Sequence, residues 1–303
     1  MRIVYMGTPE FAKNPLERLY SDGNDIVGVF TQPDRPKNRG MKLAFSPVKE
    51  FALEHNIPVY QPDTLRDGQA VEILSKLEID LIAVVAYGKL LPREILDLPP
   101  LGCVNVHASI LPKYRGAAPI QWAIINGETE TGVTSMYMAE ELDAGDVLLT
   151  KKTPIGEDET SGQLHDRLSI SGAEVLSETV TKIAQGKIVR TPQDNALATF
   201  APQLSKSISQ IDWGKTAREI KCKVRGLNPW PVATAEFGGV IYKIFSVDIE
   251  AKSGNAPGEI VSADARGFKI ACLDGTINVR ELQAPNGKRM SAADYLRGRE
   301  ICR

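Results

Sequence analysis

Two patterns of hydrophobic and polar positions alternate along the N-terminal part of the chain. Short apolar runs at Ile3–Met6, Ile26–Phe30 and Leu81–Ala86 predict buried strands. The last run is uninterrupted, as in a central parallel strand that is covered on both faces. Stretches such as Ser46–Asn56 lie between the strands and predict helices. Strands that alternate with helices indicate a doubly wound, mostly parallel α/β sheet of Rossmann-like type.

The C-terminal part differs, because short β-favouring runs follow one another there with turns rich in Gly, Asn and Asp. This spacing predicts a small antiparallel β-barrel, which we describe as OB-like. Periodicity is lost just before it, so we expect a first domain over 1–186, a linker over 187–205 and a barrel domain over 206–303. The strands expected in the barrel are Thr234–Phe237, Val240–Val247, Pro257–Val261, Gly267–Leu273 and Ile277–Leu282.

The composition is that of a globular enzyme, with 43% hydrophobic and 24% charged residues. No apolar run approaches the ~20 residues of a membrane helix, and the N-terminus reads as a strand and turn, not as a signal peptide. The cysteines are far apart and form no Cys-x-x-Cys pair, which argues against a zinc site and fits free thiols in a reducing cytosol. We therefore expect a cytoplasmic protein without a metal or a membrane partner. The four cysteines are Cys103, Cys222, Cys272 and Cys302.

Positive charge is concentrated in two places. From Lys206 onward, 16 Lys and Arg stand against 11 Asp and Glu, a net charge of +5, whereas the preceding part carries −7. The stretch Thr31–Phe45 has no periodicity, as in a functional or disordered loop, and Asp34 is its only acid. Both features are compatible with phosphate binding; the alternatives are a chance surplus of charge in the C-terminal part and a solvated surface loop at Thr31–Phe45. The cations of the loop are Arg35, Lys37, Arg39 and Lys42.

The stretch Gly102–Gly116 carries the strongest chemical signal. It begins as a strand, so Asn105 and His107 share one face. An imidazole exchanges protons near pH 7, and a carboxamide can donate to an oxygen that becomes negative. Asp143, in an acidic loop, could orient the imidazole or collect a proton. A packed histidine and a turn aspartate remain the alternative for these residues taken singly.

Ser109 follows this strand and carries a hydroxyl that could act as a nucleophile. The strand–Gly-x-Ser-x-Gly–helix turn that usually presents such a serine is absent, however. No cysteine or lysine is clearly placed for covalent catalysis. The residues therefore favour direct transfer of an acyl-type group to an external nucleophile over an acyl-enzyme.

The motifs Asn105–Pro112, Arg115–Ile120 and Leu142–Asp146 resemble the active-site signature of the 10-formyltetrahydrofolate-dependent formyltransferases. The resemblance extends over the whole chain. Its basic loop and its Asn-Pro-Trp-Pro motif resemble the family members that formylate methionyl-initiator tRNA. One conservative departure is Ile110, where the family commonly has Leu. The further matching segments are Gly7–Ala12, Phe30–Leu43, Val84–Gly88, Asn228–Pro231 and Pro257–Ile260.

This resemblance implies direct formyl transfer from 10-formyltetrahydrofolate to the α-amine of initiator methionyl-tRNA, by a protein that we expect to be a monomer. It implies that the first domain is catalytic and that the barrel binds tRNA. The implied catalytic residues are Asn105, His107 and Asp143. The implied folate-binding residues are Ser109, Ile110, Leu111 and Pro112. The implied tRNA-binding residues are Arg35, Lys37, Arg39, Lys42, Lys206, Arg218 and Lys221.

Two alternatives remain open from the sequence. A formyltransferase for a small amine, such as glycinamide ribonucleotide or an amino-sugar nucleotide, would need neither the basic loop nor the basic C-terminal domain. A non-catalytic nucleic-acid-binding protein would leave the combination of Asn105, His107 and Asp143 unexplained.

Overall fold

The structure is a computed structural model that describes residues 1–37, 42–264 and 267–301. The chain divides into two compact units. The first comprises 1–116, 132–153 and 165–200, and the second comprises 117–131, 154–164 and 201–303. The domain boundaries expected from the sequence, at 186 and 205, stay a prediction. Across the described residues, every helix is too short or too polar to cross a membrane.

Strands and helices alternate through the N-terminal part, as the hydrophobic pattern predicted. In chain order they are β1 Arg2–Gly7, α1 Glu10–Ser21, β2 Asp25–Phe30, β3 Arg35–Lys37, β4 Lys42–Ala44, α2 Pro47–Glu54, β5 Val59–Tyr60, α3 Gln69–Lys76, β6 Leu81–Val85, α4 Arg93–Leu96, β7 Cys103–His107, α5 Pro119–Ile125, β8 Glu130–Tyr137, β9 Val147–Pro154 and α6 Ser161–Ala184.

Seven of these strands form one sheet in the order β5-β2-β1-β6-β7-β8-β9. The pairs from β5 to β7 are parallel, and β8 runs antiparallel to β7. Every residue of β6 is buried, which confirms the interpretation of its apolar run. The strand order reverses direction between β1 and β6, and folds of this kind bind ligands beyond the carboxyl ends of the strands near such a point. His107 is the last residue of β7 and therefore lies at that edge.

The basic stretch Thr31–Phe45 contains regular structure that the sequence did not predict. β3 and β4 form an antiparallel pair, in which Arg35 lies opposite Ala44 and Lys37 opposite Lys42. Strands of three residues are too short to show an alternating pattern, so the expectation of a loop without regular structure was wrong. Arg39 lies outside the described residues.

The pair β3–β4 is anchored at its base by a partly buried network. Lys49 Nζ donates to Asp34 Oδ2 at 2.5 Å and to Gln61 Oε1 at 2.7 Å. Gln61 Nε2 in turn donates to Asp34 Oδ1 at 2.9 Å. The ammonium of Lys49 also lies 4.1 Å from the ring centre of Phe45, which follows β4. Contacts from α2 and from the segment after β5 therefore hold the base of the pair, where β3 begins and β4 ends.

The antiparallel C-terminal domain is confirmed. Five strands pair in the order β10-β11-β14-β13-β12, and β15 pairs with β14. Buried residues such as Phe237, Ile244, Phe268 and Val279 form its core. Helix α7 begins with a capping box, in which the Thr216 side chain and that of the residue three positions later bond each other's backbone N–H. The elements are α7 Ala217–Gly226, β10 Ala233–Phe237, β11 Val240–Glu250, β12 Ile260–Asp264, β13 Gly267–Ala271, β14 Thr276–Gln283, β15 Met290–Ser291 and α8 Ala292–Leu296.

Candidate active site

His107, at the end of β7, is buried and has a defined hydrogen-bond partner. Its Nε2 lies 2.8 Å from the backbone oxygen of Tyr114. A carbonyl oxygen can only accept, so Nε2 carries a proton and donates it. Nδ1 is then the nitrogen that gains or loses a proton, and it lies 3.6 Å from Asp143 Oδ2. The structure thus places the two residues together as the sequence predicted, with Nδ1 facing the carboxylate.

Asp143 lies in the loop between β8 and β9, in the left-handed backbone region with φ of +52°. The Gly116 N–H donates to its Oδ2 at 2.8 Å, and its side chain is only 9% exposed. Gly145 allows the tight turn, because a Cβ added there would lie 1.8 Å from the Tyr137 carbonyl oxygen. The backbone conformation of this loop, together with one N–H, fixes where the carboxylate points.

Asn105 is two positions before His107 on β7, and therefore on the same face of the sheet. Its backbone lies between Val84 of β6 and Met136 of β8. The residue is partly exposed, and among the described residues its carboxamide makes no hydrogen bond. A carboxamide held on a central strand with both N–H groups uncommitted can donate to a substrate oxygen.

The predicted folate segment, Ser109–Pro112, forms a fixed turn after β7. Ser109 is fully buried, and its hydroxyl donates to the Lys113 carbonyl at 2.6 Å. Thr134 of β8 accepts from Leu111 N at 3.3 Å and donates to Ser109 O at 2.7 Å. The partly exposed members of the segment are Ile110 and Pro112, so these two offer apolar surface to a ligand.

The two candidate covalent nucleophiles on or next to β7, Cys103 and Ser109, are poorly suited to attack a substrate. Cys103 lies on the same face as Asn105 and His107, but burial, aided by the charge of Asp97, raises the pKa of its thiol to about 12. Only a minute fraction is thiolate at neutral pH, and the thiolate is the nucleophilic form. The hydroxyl of Ser109 is committed to a carbonyl.

The cations predicted to bind tRNA differ in their exposure and in their ion pairs. Lys206 and Arg218 are exposed, and among the described residues they have no ion-pair partner. Lys221, by contrast, forms a 2.6 Å ion pair with Asp158 and is largely covered. The residues Arg35, Lys37 and Lys42 lie on β3 and β4.

Comparisons with known proteins agree with this arrangement. Residues 1–180 match the formyl transferase family, and residues 203–300 match the formyl transferase C-terminal domain. The methionyl-tRNA formyltransferase of Ruminiclostridium cellulolyticum is 49% identical over 99% of this chain and 97% of its own length. That of Clostridioides difficile is 47% identical over 99% of this chain and 98% of its own length. The chain belongs to the methionyl-tRNA formyltransferase family.

Solved structures share the fold of this family member at lower identity. The sugar 3N-formyl transferase WlaRD, crystallised in the presence of dTDP and 5-N-formyl-THF, matches with a TM-score of 0.71 at 19% identity, covering 95% of this chain and 99% of that one. HypX from Aquifex aeolicus, in complex with tetrahydrofolic acid, matches with a TM-score of 0.64 at 20% identity over 98% of this chain. This chain spans about half, 47%, of the length of HypX.

An open cavity in the first unit of this formyltransferase adjoins the loop of Asp143. Its volume is about 680 Å³, and its wall includes Leu90, Leu91 and Pro92, which follow β6, and Glu140 from the Asp143 loop. This volume lies within the range of roughly 300–1,000 Å³ that is usual for small-molecule sites.

Sequence reasoning missed the residues that hold the Asp143 loop in this formyltransferase. Gln193 lies in the predicted linker, yet its side chain bonds the backbone of Asp143 and Gly145. Arg115 was named only as the first residue of a family motif, but it is buried and bonds Gln193. Neither residue carries a local signal, because both act through contacts that are distant in sequence.

Proposed function

We propose that the protein transfers the formyl group of 10-formyltetrahydrofolate to the α-amine of methionyl-initiator tRNA, giving N-formylmethionyl-tRNA for translation initiation. The amine nitrogen forms a bond to the formyl carbon, and the carbonyl electron pair moves onto oxygen. Collapse of this tetrahedral intermediate breaks the bond to folate N10. The amine loses one proton, and N10 gains one, so no acyl-enzyme and no metal are needed.

The observation that carries this proposal is the arrangement of Asn105, His107 and Asp143. Because Nε2 of His107 is bound to the Tyr114 carbonyl, Nδ1 is the atom that exchanges protons with the amine and N10. Asp143, 3.6 Å away, faces the charge that forms on Nδ1. The uncommitted carboxamide of Asn105 donates to the developing oxyanion, helped by Nδ1–H when His107 is protonated.

The magnitudes of these effects suit the assignment. An α-amine titrates at about 7.7–8.0 in model peptides, so a sizeable fraction is protonated at neutral pH and needs a base. General acid–base help contributes roughly 10²–10⁴ in rate, and one oxyanion donor roughly 10²–10³. The high pKa of Cys103 and the committed hydroxyl of Ser109 support direct transfer.

The folate is proposed to lie against the segment Ser109–Pro112 and the cavity beside the Asp143 loop. Apolar contact comes from Ile110 and Pro112, and from the cavity wall formed by Leu90 and Leu91. The complex of HypX with tetrahydrofolic acid and the crystallisation of WlaRD in the presence of 5-N-formyl-THF support a folate co-substrate for this fold.

The tRNA is proposed to contact cations in both parts of the chain. Lys206 and Arg218 are exposed, whereas Lys221 must first release Asp158. The names of the relatives at 47–49% identity over nearly the full length support tRNA as the substrate. We also propose that the protein acts in the cytoplasm, where aminoacyl-tRNA is made, and as a monomer, which sedimentation analysis would test. The proposed contacts on the β3–β4 segment are Arg35, Lys37, Arg39 and Lys42.

One assay tests the function. The protein is incubated with 10-formyltetrahydrofolate labelled in the formyl group and methionyl-initiator tRNA, and the deacylated product is searched for N-formylmethionine. Parallel reactions replace the tRNA by glycinamide ribonucleotide or an amino-sugar nucleotide. Formylation of a small amine but not of methionyl-tRNA would refute the proposal in favour of a small-amine formyltransferase. Tight tRNA binding without any formyl transfer would refute it in favour of a non-catalytic binding protein.

A further inference from the structure

Two residues that flank Arg115, Tyr114 and Gly116, each hold a different part of the His107–Asp143 pair. The Tyr114 carbonyl accepts from His107 Nε2, and the Gly116 N–H donates to Asp143 Oδ2. Tyr114 and Gly116 have φ of +62° and +120°, so the backbone turns on both sides of Arg115. The segment Tyr114–Gly116 therefore positions the pair, and contacts with other parts of the chain must stabilise its unusual backbone conformation.

Arg115 connects this segment to the stretch that follows α6. It is 5% exposed, and a buried guanidinium must find partners because an unpaired buried charge is costly. Its Nε and Nη2 donate to Gln193 Oε1 at 3.2 and 2.8 Å, and Nη2 also donates to Asn195 Oδ1 at 2.8 Å. The backbone N–H of Arg115 donates to Thr199 O at 2.8 Å. Side chain and backbone are thus both fixed to the residues 193–199.

Gln193 passes this support on to the Asp143 loop. Its Nε2 donates to the backbone oxygens of Asp143 at 2.8 Å and Gly145 at 2.7 Å. Both N–H groups are thereby used, and the amide oxygen receives Arg115. The reversed amide orientation would place Oε1 against two carbonyl oxygens and Nε2 against a guanidinium. Arg115 therefore selects the one orientation in which Gln193 can hold both carbonyls.

We propose that Gln193 is a positioning residue for the transfer reaction, which acts by fixing the backbone of Asp143 so that the carboxylate faces His107 Nδ1. The proposal rests on the proposed function. Gln193 needs no contact with substrate: its two donors set the left-handed conformation of Asp143, and the Gly116 N–H then sets the carboxylate. A misplacement of about 1 Å at a reacting group can cost on the order of 10²-fold in rate.

Two variants test the role of the amide donors. Gln193→Ala removes the side chain beyond Cβ, whereas Gln193→Glu keeps an acceptor for Arg115 but directs an oxygen at the two carbonyls. Both are expected to lower kcat at least tenfold and to leave KM for 10-formyltetrahydrofolate within twofold. Gln185→Ala, at an exposed glutamine just after α6, is the matched control and is expected to keep the wild-type kcat. Thermal melts of all variants report whether the fold is kept.

A double-mutant cycle separates positioning from a general structural effect. If Gln193 acts through Asp143, Gln193→Ala should lower kcat less than twofold further in an Asp143→Ala background. A loss of the same size in both backgrounds would overturn the proposal, as would wild-type kcat in Gln193→Ala or loss of the fold in both variants. An inactive wild-type protein would instead refute the proposed function, so the two failures are distinguishable.

Discussion

Replacing Asn105 by alanine isolates the oxyanion contact from the rest of the site. Its backbone stays paired between β6 and β8, and its carboxamide makes no hydrogen bond within the described part of the chain, so the substitution leaves no partner unsatisfied. Removing one oxyanion donor typically costs about 2.7–4 kcal/mol of transition-state stabilisation, or roughly 10²–10³ in kcat. Because the contact forms only as charge develops on oxygen, KM for the folate should hardly change.

The assay is transfer of labelled formyl to methionyl-tRNA under single-turnover conditions, which separates chemistry from product release. Asn105→Asp is the isosteric partner variant, since it keeps the shape but replaces the donors by acceptors. It should be at least as slow as Asn105→Ala. Turnover within threefold of wild type in either variant, with the fold intact, would show that Asn105 does not stabilise the oxyanion.

The remaining predictions concern the cationic segment and the Asp143 loop. Arg39→Ala should weaken binding of methionyl-tRNA and reduce the slope of log affinity against log salt by about one, and an unchanged slope would show that no phosphate is contacted. The hydrogen bond from Lys49 lowers the pKa of Asp34, although burial opposes it. A carboxyl with a lowered folded pKa stabilises the fold above its unfolded pKa of ~3.9, and the contribution is lost as the pH falls through the folded pKa. Lys49→Met should therefore lower the melting temperature at pH 6, and this loss should shrink as the pH falls below the unfolded pKa; a loss that does not change with pH would refute the ion pair. Gly145→Ala would bring a Cβ to 1.8 Å from the Tyr137 oxygen, so kcat should fall at least tenfold, and wild-type kcat would show that the loop tolerates the shift.

Much of the fold is legible in the sequence because burial leaves a local pattern. The uninterrupted apolar run at Leu81–Ala86 became the fully buried β6, and the stretch Ser46–Asn56, predicted to be a helix, contains α2. In the C-terminal domain, four of the five expected strands begin within one residue of their observed counterparts, whereas Pro257–Val261 begins three residues before β12. Alternation and helical periodicity indicate which face of a strand or helix packs against the core, and each of these elements buries such a face.

The segment β3–β4 shows where local pattern fails. Strands of three residues cannot display alternation, and their stability comes from each other and from the ion pair of Asp34 with Lys49. Lys49 belongs to α2 and Gln61 follows β5, so the network that anchors the pair joins three separate stretches of sequence. A local sequence pattern does not show contacts between residues that are far apart in the chain.

In the candidate site, too, some residues could be predicted from the local sequence and others could not. Asn105, His107 and Asp143 were predicted from the sequence because their side chains are chemically unusual at their positions: a carboxamide and an imidazole lie on one face of a strand, and an acid lies close to a glycine in a turn. Gln193 is chemically ordinary and lies 50 residues after Asp143 in irregular chain. The role that we propose for it rests on geometry alone, since two carbonyls and a guanidinium converge on its one amide. Candidate reacting groups are therefore easier to predict from a sequence than candidate positioning groups, because positioning depends on distances that only the fold creates.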